Sequence, residues 1–387
     1  MKKTFLFAGV ILALYLAGIA FIPPYIEAQR NPVTQSSPYS VSLEARQLYG
    51  RLDFIADLHC DALLWGRDLT QRGSRGHVDF PRMRDSNVAL EMFTIVSKSP
   101  SGQNMKKNSS DTFDNITPLT IAKGEGPWNW FSLIKRTLSQ SEALSDFVEK
   151  EEGNAIFIRS KKELEQLIEA RMSNKEVIGA MLGIEGGHAI EGSLENLEKV
   201  YQAGVRMIGP THFFDNEFGG SAHGENNEGL TEFGKSAIRR MNELGIFIDL
   251  AHSSPAIVDD VLDLSTKPVI ISHTGVRGVL DSQRNLSDEQ IRKIADKGGI
   301  IGIAFFDGAV GSPELPNIIA SIKYVRDLVG VRYVALGSDY DGSVSVPFDI
   351  TGLPLIVEGL MESGFTEEEI RSVMGENVKR FLLENLE

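Results

Sequence analysis

The chain reads FIADLHCD from Phe54 to Asp61, where a histidine and two aspartates follow an apolar start. An apolar run of this kind is typical of a buried strand. Residues two apart on a strand point the same way, so His59 and Asp61 can present an imidazole and a carboxylate to one cation. Alone, the pattern is only a weak indication of a metal site, because short polar clusters are common at strand ends.

The same pattern recurs along the chain. Five further ionisable residues each follow an apolar stretch rich in β-branched residues: Glu185, His212, His252, His273 and Asp339. Eight strands are predicted: Phe54–Leu58, Ala89–Val96, Val177–Ile184, Arg206–Pro210, Ile246–Leu250, Pro268–Ile271, Ile300–Ala304 and Tyr333–Leu336. Mostly helix-length stretches separate them, which predicts parallel strands.

Eight such units favour a (β/α)8 barrel of the TIM type, with an open doubly wound sheet as the alternative. A closed barrel brings every strand end to one mouth, whereas an open sheet would keep the first and last ends apart. The irregular stretch from Ser97 to Lys150 predicts an insertion after the second strand, either a lid over the mouth or ordinary packing. Thr366 to Glu369 predicts a capping box, and Ser193 and Ser287 predict helix starts.

Composition argues against one class of partner, nucleic acid. The 387 residues are 42% hydrophobic and 24% charged, as in globular proteins with a sizeable core. A net charge of −14, with no basic stripe, argues against nucleic acid. The sole cysteine, Cys60, rules out an intrachain disulfide and is silent on the redox compartment.

The N-terminus differs from the rest of the chain. Lys2 and Lys3 precede an uncharged run of eighteen residues from Phe5 to Ile22. That length is near the lower limit for crossing a bilayer, so residues 1–24 predict a signal anchor, with a cleaved signal peptide as the alternative.

The polar residues 25–40 predict a linker that tethers a domain spanning 41–387. We expect that domain outside the cytoplasm, periplasmic or at the cell surface, and secreted if the first segment is cleaved. The oligomeric state stays open, with a homodimer among the alternatives.

The ionisable residues at the predicted mouth suit divalent metal chemistry. The chain has seven histidines, and five fall at or just past predicted strand ends. Imidazole and carboxylate together suit zinc and similar ions, which acidify a bound water. A carboxylate at Glu185 would be able to bridge two ions about 3.5 Å apart.

At this point the sequence from about Leu43 to Phe381 resembles the membrane (renal-type) dipeptidases, zinc peptidases of the amidohydrolase superfamily. The segments that carry the resemblance follow one another in the family's order over most of the domain. They are Asp57 to Asp61, Ile184 to His188, Thr211-His212, Ile248 to His252, Ile271 to His273, Gln283 to Asn285 and Gly337 to Gly342.

The resemblance implies two zinc ions per chain. One would be held by His59 and Asp61, the second by His252 and His273, and Glu185 would bridge them and share the pair with a nucleophilic hydroxide.

The resemblance also implies three residues that act on the substrate. His212 would stabilise the oxyanion of the tetrahedral intermediate. Arg284 would grip the free C-terminal carboxylate of a dipeptide. Asp339 would take the proton of the attacking water and pass it to the leaving amine.

Other polar residues have plainer interpretations. His188 and Asp57 are expected to orient ligands, and Asp341 to shape a turn. His223 lies in a loop rich in glycine and asparagine, facing solvent or lining the substrate pocket. Cys60 departs from the best-known relatives, which carry a small polar residue there, and is expected to be an inert buried thiol.

The sequence therefore predicts a membrane-tethered metallodipeptidase that hydrolyses dipeptides through a bridging hydroxide. The alternative is an amidohydrolase of another small amide, lactone or N-acyl amino acid, since the ligand set does not distinguish these substrates. A third hypothesis, a binding module on a degenerate barrel, conflicts with the presence of every proposed ligand and of the proton shuttle.

Overall fold

The computed structural model describes residues 18–387 and shows a parallel barrel. Its strands are β1 (Ala56–Cys60), β2 (Leu90–Val96), β3 (Ala155–Phe157), β4 (Ile178–Glu185), β5 (Val205–Ile208), β6 (Phe247–Ile248), β7 (Ile270–Thr274), β8 (Ile300–Ile303) and β9 (Val334–Leu336). The order around the sheet is β6-β5-β4-β2-β1-β9-β8-β7. A parallel bridge between Asp249 and Ile270 joins the two ends. The eight-stranded (β/α)8 barrel is thereby confirmed, and the open doubly wound sheet is excluded.

Helices connect most of the strands and cover the barrel. They are α1 (residues 18–30), α2 (Leu43–Gly50), α3 (Phe80–Asp85), α4 (Ile116–Ala122), α5 (Leu133–Lys150), α6 (Lys161–Ser173), α7 (Leu194–Gln202), α8 (Glu232–Leu244), α9 (Pro255–Leu264), α10 (Asp288–Asp296), α11 (Asp307–Val310), α12 (Leu315–Val329), α13 (Pro354–Glu362), α14 (Glu367–Arg371) and α15 (Asn377–Asn385). Thr366 forms the predicted capping box, and Ser287 also forms one at its predicted helix start. The Ser193 side chain, by contrast, makes no capping hydrogen bond.

The connection between β2 and β4 is longer than the others and carries α4, α5, β3 and α6. The sequence does not predict β3, which pairs with the first half of β4 at residues Ile178 to Ala180 and lies outside the barrel order. A strand of three residues leaves too short an apolar run for periodicity to detect.

Two strands that carry histidines contain a bulge where the histidine lies. Between Asp57 and Cys60, three steps along β1 match two along β2. Between Ile271 and Thr274, three steps along β7 match two along β8. A bulge re-aims a side chain, so His59 and His273 owe their direction to these irregularities as well as to strand alternation.

Two glycines make room for the bulge in β7. A methyl group at Gly302 would come within 2.1 Å of the Ser272 carbonyl oxygen, and one at Gly337 within 1.8 Å. Both distances are far below van der Waals contact, so only glycine fits beside that carbonyl. The backbone that orients His273 therefore depends on β8 and β9 as well as on its own strand.

The segment before the barrel is attached to it. Glu27 and Asn31 are buried, and Val33 forms a parallel bridge with Val346. The Tyr39 hydroxyl donates a hydrogen bond to Asp349 at 3.2 Å. Residues 25–40, predicted to be a tether, thus include side chains that belong to the folded unit, because buried polar pairs and backbone bonds hold a stretch whose composition alone looks like a linker.

The predicted anchor over residues 1–24 lies mostly outside the described residues, so it stays a prediction. In the part of the chain from residue 18 onward, no helix has both the length and the apolar character needed to cross a bilayer.

Candidate active site

A cavity of about 760 Å³ opens where the barrel strands end. Residues that follow five different strands reach it, which is where active sites of such barrels are found. They are Asp61, Glu185, His212, His252 and Asp339. The predicted convergence of strand ends on one mouth therefore occurs.

Glu185 lies at the centre of this group. Its Oε1 is 3.0 Å from His252 Nε2, 3.3 Å from His273 Nε2 and 3.6 Å from His59 Nε2. Its Oε2 is 3.2 Å from His212 Nε2. The Glu185 carboxylate, at the end of β4, thus faces four imidazoles. This arrangement suits a group that bridges two cations.

Asp61 and Asp339 flank the same imidazole from two further strand ends. Oδ1 of Asp61 is 3.6 Å from His59 Nε2, and Oδ1 of Asp339 is 3.9 Å from that nitrogen. Thr94 donates a hydrogen bond of 2.6 Å to Asp61 and fixes its carboxylate. Both His252 and Asp339 have left-handed backbones, with φ of 59° and 63°. Strained conformations of this kind cluster at functional sites.

A serine hydroxyl sets the tautomers of two histidines. Ser272 Oγ lies 3.0 Å from His59 Nδ1, 2.9 Å from His273 Nδ1 and 2.6 Å from Asp249 Oδ2. A hydroxyl has one proton to donate, and an ionised carboxylate only accepts, so Ser272 donates to Asp249. It then accepts from both Nδ1–H groups. His59 and His273 consequently direct Nε2 toward Glu185, as metal-binding imidazoles do.

The carboxylates create an excess of negative charge. Burial alone would lower the pKa of His59, but Glu185 and Asp61 outweigh it and raise that pKa to about 10. Burial raises the pKa of Asp339 to about 8, and burial together with Asp61 raises the pKa of Glu185 well above its ordinary value. Such a cluster needs positive charge, supplied either by protons or by a cation.

The other imidazoles are held neutral. Burial, followed by neighbouring cationic groups, lowers the pKa of His212, His252 and His273 well below the ordinary value. A neutral imidazole has a free lone pair, which a metal ligand requires.

The residues fit divalent metal ions. Three sets of side chains each bring their ligand atoms within 4.8 Å of one another: His59, His273 and Asp339; Glu185, His212 and His252; and His59, Asp61 and Glu185. Among the described residues, the buried His59 Nε2 finds no hydrogen-bond partner. The third set shares His59 with the first set and Glu185 with the second, so the candidate cation positions adjoin one another.

Some predicted residues lie beside the cavity, outside its wall. Arg284 is buried, and its Nη2 donates to the His273 carbonyl at 2.7 Å. Asp57 Oδ1 accepts the Ser338 backbone N–H at 2.8 Å, and burial raises the pKa of Asp57 to about 6. His188 packs on Phe214 with ring centroids 4.8 Å apart.

Sequence reasoning did not assign roles to Ser272, Asp249 and Thr94. Each lies inside or beside a stretch that the sequence singles out, as in Ser272-His273 and Asp249 to His252. For Ser272 and Asp249 the only signal in the sequence is a nearby predicted ligand, and for Thr94 there is none. The hydrogen bonds from Ser272 to His59 and from Thr94 to Asp61 join residues of different strands, which the sequence does not reveal.

Elements outside the barrel complete the cavity wall. Helix α1 supplies Ile22, Ile26 and Arg30, and residues 99–119 supply a second side. Arg30 is the one lysine or arginine among the described residues that line it. Ile26 packs against a buried apolar cluster of Leu64, Trp65, Val96, Ile116 and Leu119. The cavity therefore pairs a polar, acidic floor with an apolar wall.

Comparison with protein families gives one match over nearly the whole described chain. Residues 44–386 match the family described as membrane dipeptidase, peptidase family M19. Dipeptidase 3 of Mus musculus is 31% identical over 221 residues, which cover 54% of this chain and 45% of the relative. The chain thus spans about half the length of that curated relative.

Solved structures share the fold. A metallopeptidase described as dipeptidase AC superposes with a TM-score of 0.69 at 24% identity, covering 86% of this chain and 98% of that one. A metallopeptidase from Rhodobacter sphaeroides, liganded with a phosphinate mimic of the dipeptide L-Ala-D-Ala, gives 0.67 at 24% identity and covers 86% and 99%. At this identity the likeness shows a common architecture.

Proposed function

Because the chain belongs to the membrane dipeptidase family of metallopeptidases, we propose that it hydrolyses dipeptides with two zinc ions bound in the cavity. The observation that carries this proposal is the position of Glu185, whose two carboxylate oxygens lie 3.0–3.6 Å from the Nε2 atoms of four histidines. The dipeptide mimic bound by the Rhodobacter sphaeroides relative supports the same substrate class.

In this proposal His59 and Asp61 would hold one zinc ion, His252 and His273 would hold the other, and Glu185 would serve both. When bound, the two ions would lower the pKa of a water so that it is nucleophilic near neutral pH, and would polarise the scissile carbonyl. The Ser272 hydroxyl supports this assignment, because it keeps His59 and His273 in the tautomer whose Nε2 is free.

Asp339 acts as the proton carrier. Its carboxyl group is buried at the cavity, 3.9 Å from His59 Nε2, and burial raises its pKa in the metal-free chain to about 8. A carboxyl group at this position can exchange a proton with a water beside Glu185. It takes the proton of the attacking water and delivers it to the leaving amine. His212, neutral and 3.2 Å from Glu185, faces the position of the scissile carbonyl and donates to the developing oxyanion.

Arg284 is proposed to hold the substrate's C-terminal carboxylate. Its guanidinium is buried behind His273, so it must exchange its bond to the His273 carbonyl for the substrate. Arg30 is the competing cation, since it already lines the cavity.

The decisive experiment is a panel of L,L and L,D dipeptides, tripeptides and C-terminally amidated dipeptides, assayed with the full chain before and after chelation. We expect cleavage of dipeptides alone, lost on chelation and restored by zinc. Indifference to chelation, or equal cleavage of amidated dipeptides, contradicts the proposal. Two variants identify the cation that binds the substrate carboxylate. If Arg284→Lys still discriminates against amidated dipeptides and Arg30→Ala does not, the carboxylate is bound by Arg30 at the cavity mouth.

The apolar wall favours one second candidate, an amidohydrolase of N-acyl amino acids with an apolar acyl group. The cavity of about 760 Å³ is in the size range of pockets that hold drug-sized ligands, and Ile26, Leu64 and Trp65 line its apolar side. Faster turnover of N-acyl amino acids than of every dipeptide in the panel would favour this function.

The run from Phe5 to Ile22 is proposed to anchor the protein in a membrane, with the enzyme outside the cytoplasm, or to release it if cleaved. Membrane fractionation with alkaline extraction tests the anchor. Light scattering of the purified protein tests whether it forms a homodimer.

A further inference from the structure

Helix α1 is fastened to the barrel by a buried ion pair. Glu27 is 0% exposed, and its two carboxylate oxygens face the Nε atoms of Arg67 and Arg75. A buried carboxylate is costly unless it is paired, so this contact selects one docked position for the helix. Neighbouring positions on α1, such as Gln29, are exposed.

Arg67 also contacts the loop that carries Asp339. Arg67 Nη2 lies 2.5 Å from Asp341 Oδ2, and Asp341 Oδ1 accepts the His77 backbone N–H at 2.7 Å. Burial alone would raise the pKa of Asp341, but Arg67 and His77 lower it below the ordinary value. Asp341 therefore stays ionised and ties Glu27, through Arg67, to the loop after β9.

Asn31 makes a second connection to that loop. Its Oδ1 accepts the Ser343 backbone N–H at 2.8 Å. Its carbonyl oxygen is 3.1 Å from His77 Nε2, and His77 Nδ1 accepts the Asp341 N–H at 2.9 Å. Asn31, the residue directly after α1, thus holds two alternate backbone N–H groups of the loop, that of Ser343 directly and that of Asp341 through the His77 imidazole.

The loop after β9 has an unfavourable backbone conformation at three residues. Asp339, Asp341 and Ser343 have φ of 63°, 61° and 64°, in the left-handed region that residues other than glycine rarely adopt. Three such residues in alternation persist only where surrounding contacts hold them. The contacts from Glu27 and Asn31 act on Asp341 and Ser343, directly after Asp339.

We propose that Glu27 and Asn31 are positioning residues for Asp339, so that the docked helix α1 is a working part of the active site. This inference rests on the proton-carrying role proposed for Asp339. It implies that loosening α1 slows turnover while the barrel and its metal-binding residues stay folded.

The test uses three variants of the zinc-loaded full chain: Glu27→Gln, Asn31→Ala and, as the matched control on the same helix, Gln29→Ala. We expect kcat to fall about tenfold or more in the first two, as small misplacements of reacting groups do, with KM changed less than about twofold. Gln29→Ala should match the wild type. Unchanged kcat in both test variants, or losses that appear only as a lower unfolding temperature, would overturn the proposal.

Hydrogen–deuterium exchange gives a readout that is independent of activity. In metal-free and zinc-loaded protein alike, Glu27→Gln and Asn31→Ala should speed exchange at the amides of Asp341 and Ser343, while strand β4 keeps its protection. Unchanged exchange in this loop refutes the positioning role even if the wild type cleaves no dipeptide. A wild type without dipeptidase activity but with the expected exchange refutes the proposed substrate instead.

Discussion

Acid should destabilise this protein through His188, whose imidazole is buried beside Phe214. Burial, followed by the nearby Lys98, lowers its pKa to about 3. The unfolded chain returns it to an ordinary value near 6.5. Below pH 6.5 His188 therefore binds a proton in the unfolded state but not in the folded state. The free energy of unfolding consequently decreases as the pH falls toward 3.

The magnitude follows from the pKa difference. Each pH unit well within that window costs about 1.4 kcal/mol, so lowering the pH from 7.5 to 5.0 removes about 2 kcal/mol through His188 alone. In His188→Phe, which keeps an aromatic ring against Phe214, this contribution disappears. The wild type should accordingly lose about 2 kcal/mol more than the variant over the same range.

The assay is urea unfolding of the chelated full chain at pH 7.5 and pH 5.0, followed by far-ultraviolet circular dichroism. The difference between the two proteins cancels the contributions of the other buried histidines. Parallel losses in wild type and variant would refute the reasoning, because they would mean that His188 is protonated in the folded state.

Three further outcomes are expected. Asp339→Asn should lower kcat for dipeptides by about 10²- to 10⁴-fold without loss of bound zinc, and steady-state kinetics with metal analysis would expose an unaffected or metal-free variant. Zinc added to metal-free protein at pH 7.5 should release at least about one proton per chain, since it displaces the proton that His59 holds with a pKa of about 10. A pH-stat titration measures this release, and the absence of any net release would contradict the expectation. Gly337→Ala should destabilise the protein by about 1–3 kcal/mol or more and weaken zinc binding, because its methyl group would meet the Ser272 carbonyl. Gly50→Ala, which has open space around the new methyl group, is the control, and equal unfolding midpoints for the two would argue against the clash.

The sequence predicted the barrel because period and position are local signals. Apolar runs mark the eight strands, and the ionisable residues that follow six of these runs mark the mouth, so Glu185 and His212 could be placed at the mouth without coordinates. The Ser272 hydroxyl was missed because its importance lies in three partners on different strands, and a serine beside a histidine is unremarkable in sequence.

The docking of the segment before the barrel is hard to predict from sequence for a similar reason. Its polar composition resembles a linker, and the charge of Glu27 argues for exposure. Only the three-dimensional placement of Arg67 and Arg75 makes burial of that carboxylate favourable. The bulges in β1 and β7 were equally invisible, since an extra residue in a strand changes pairing without changing composition.

The contacts between α1 and the loop after β9 also have a consequence for when the enzyme becomes competent during synthesis. Asn31 and Ser343 are 312 residues apart in sequence, and Asp57 of the first strand pairs with Leu336 of the last. Contacts of such long range form late, and a chain emerging from its N-terminus lacks their C-terminal half until translation is nearly finished. The five proposed metal ligands are all synthesised earlier, yet Asp339, the proposed proton carrier, is held in place only when the two ends of the chain meet.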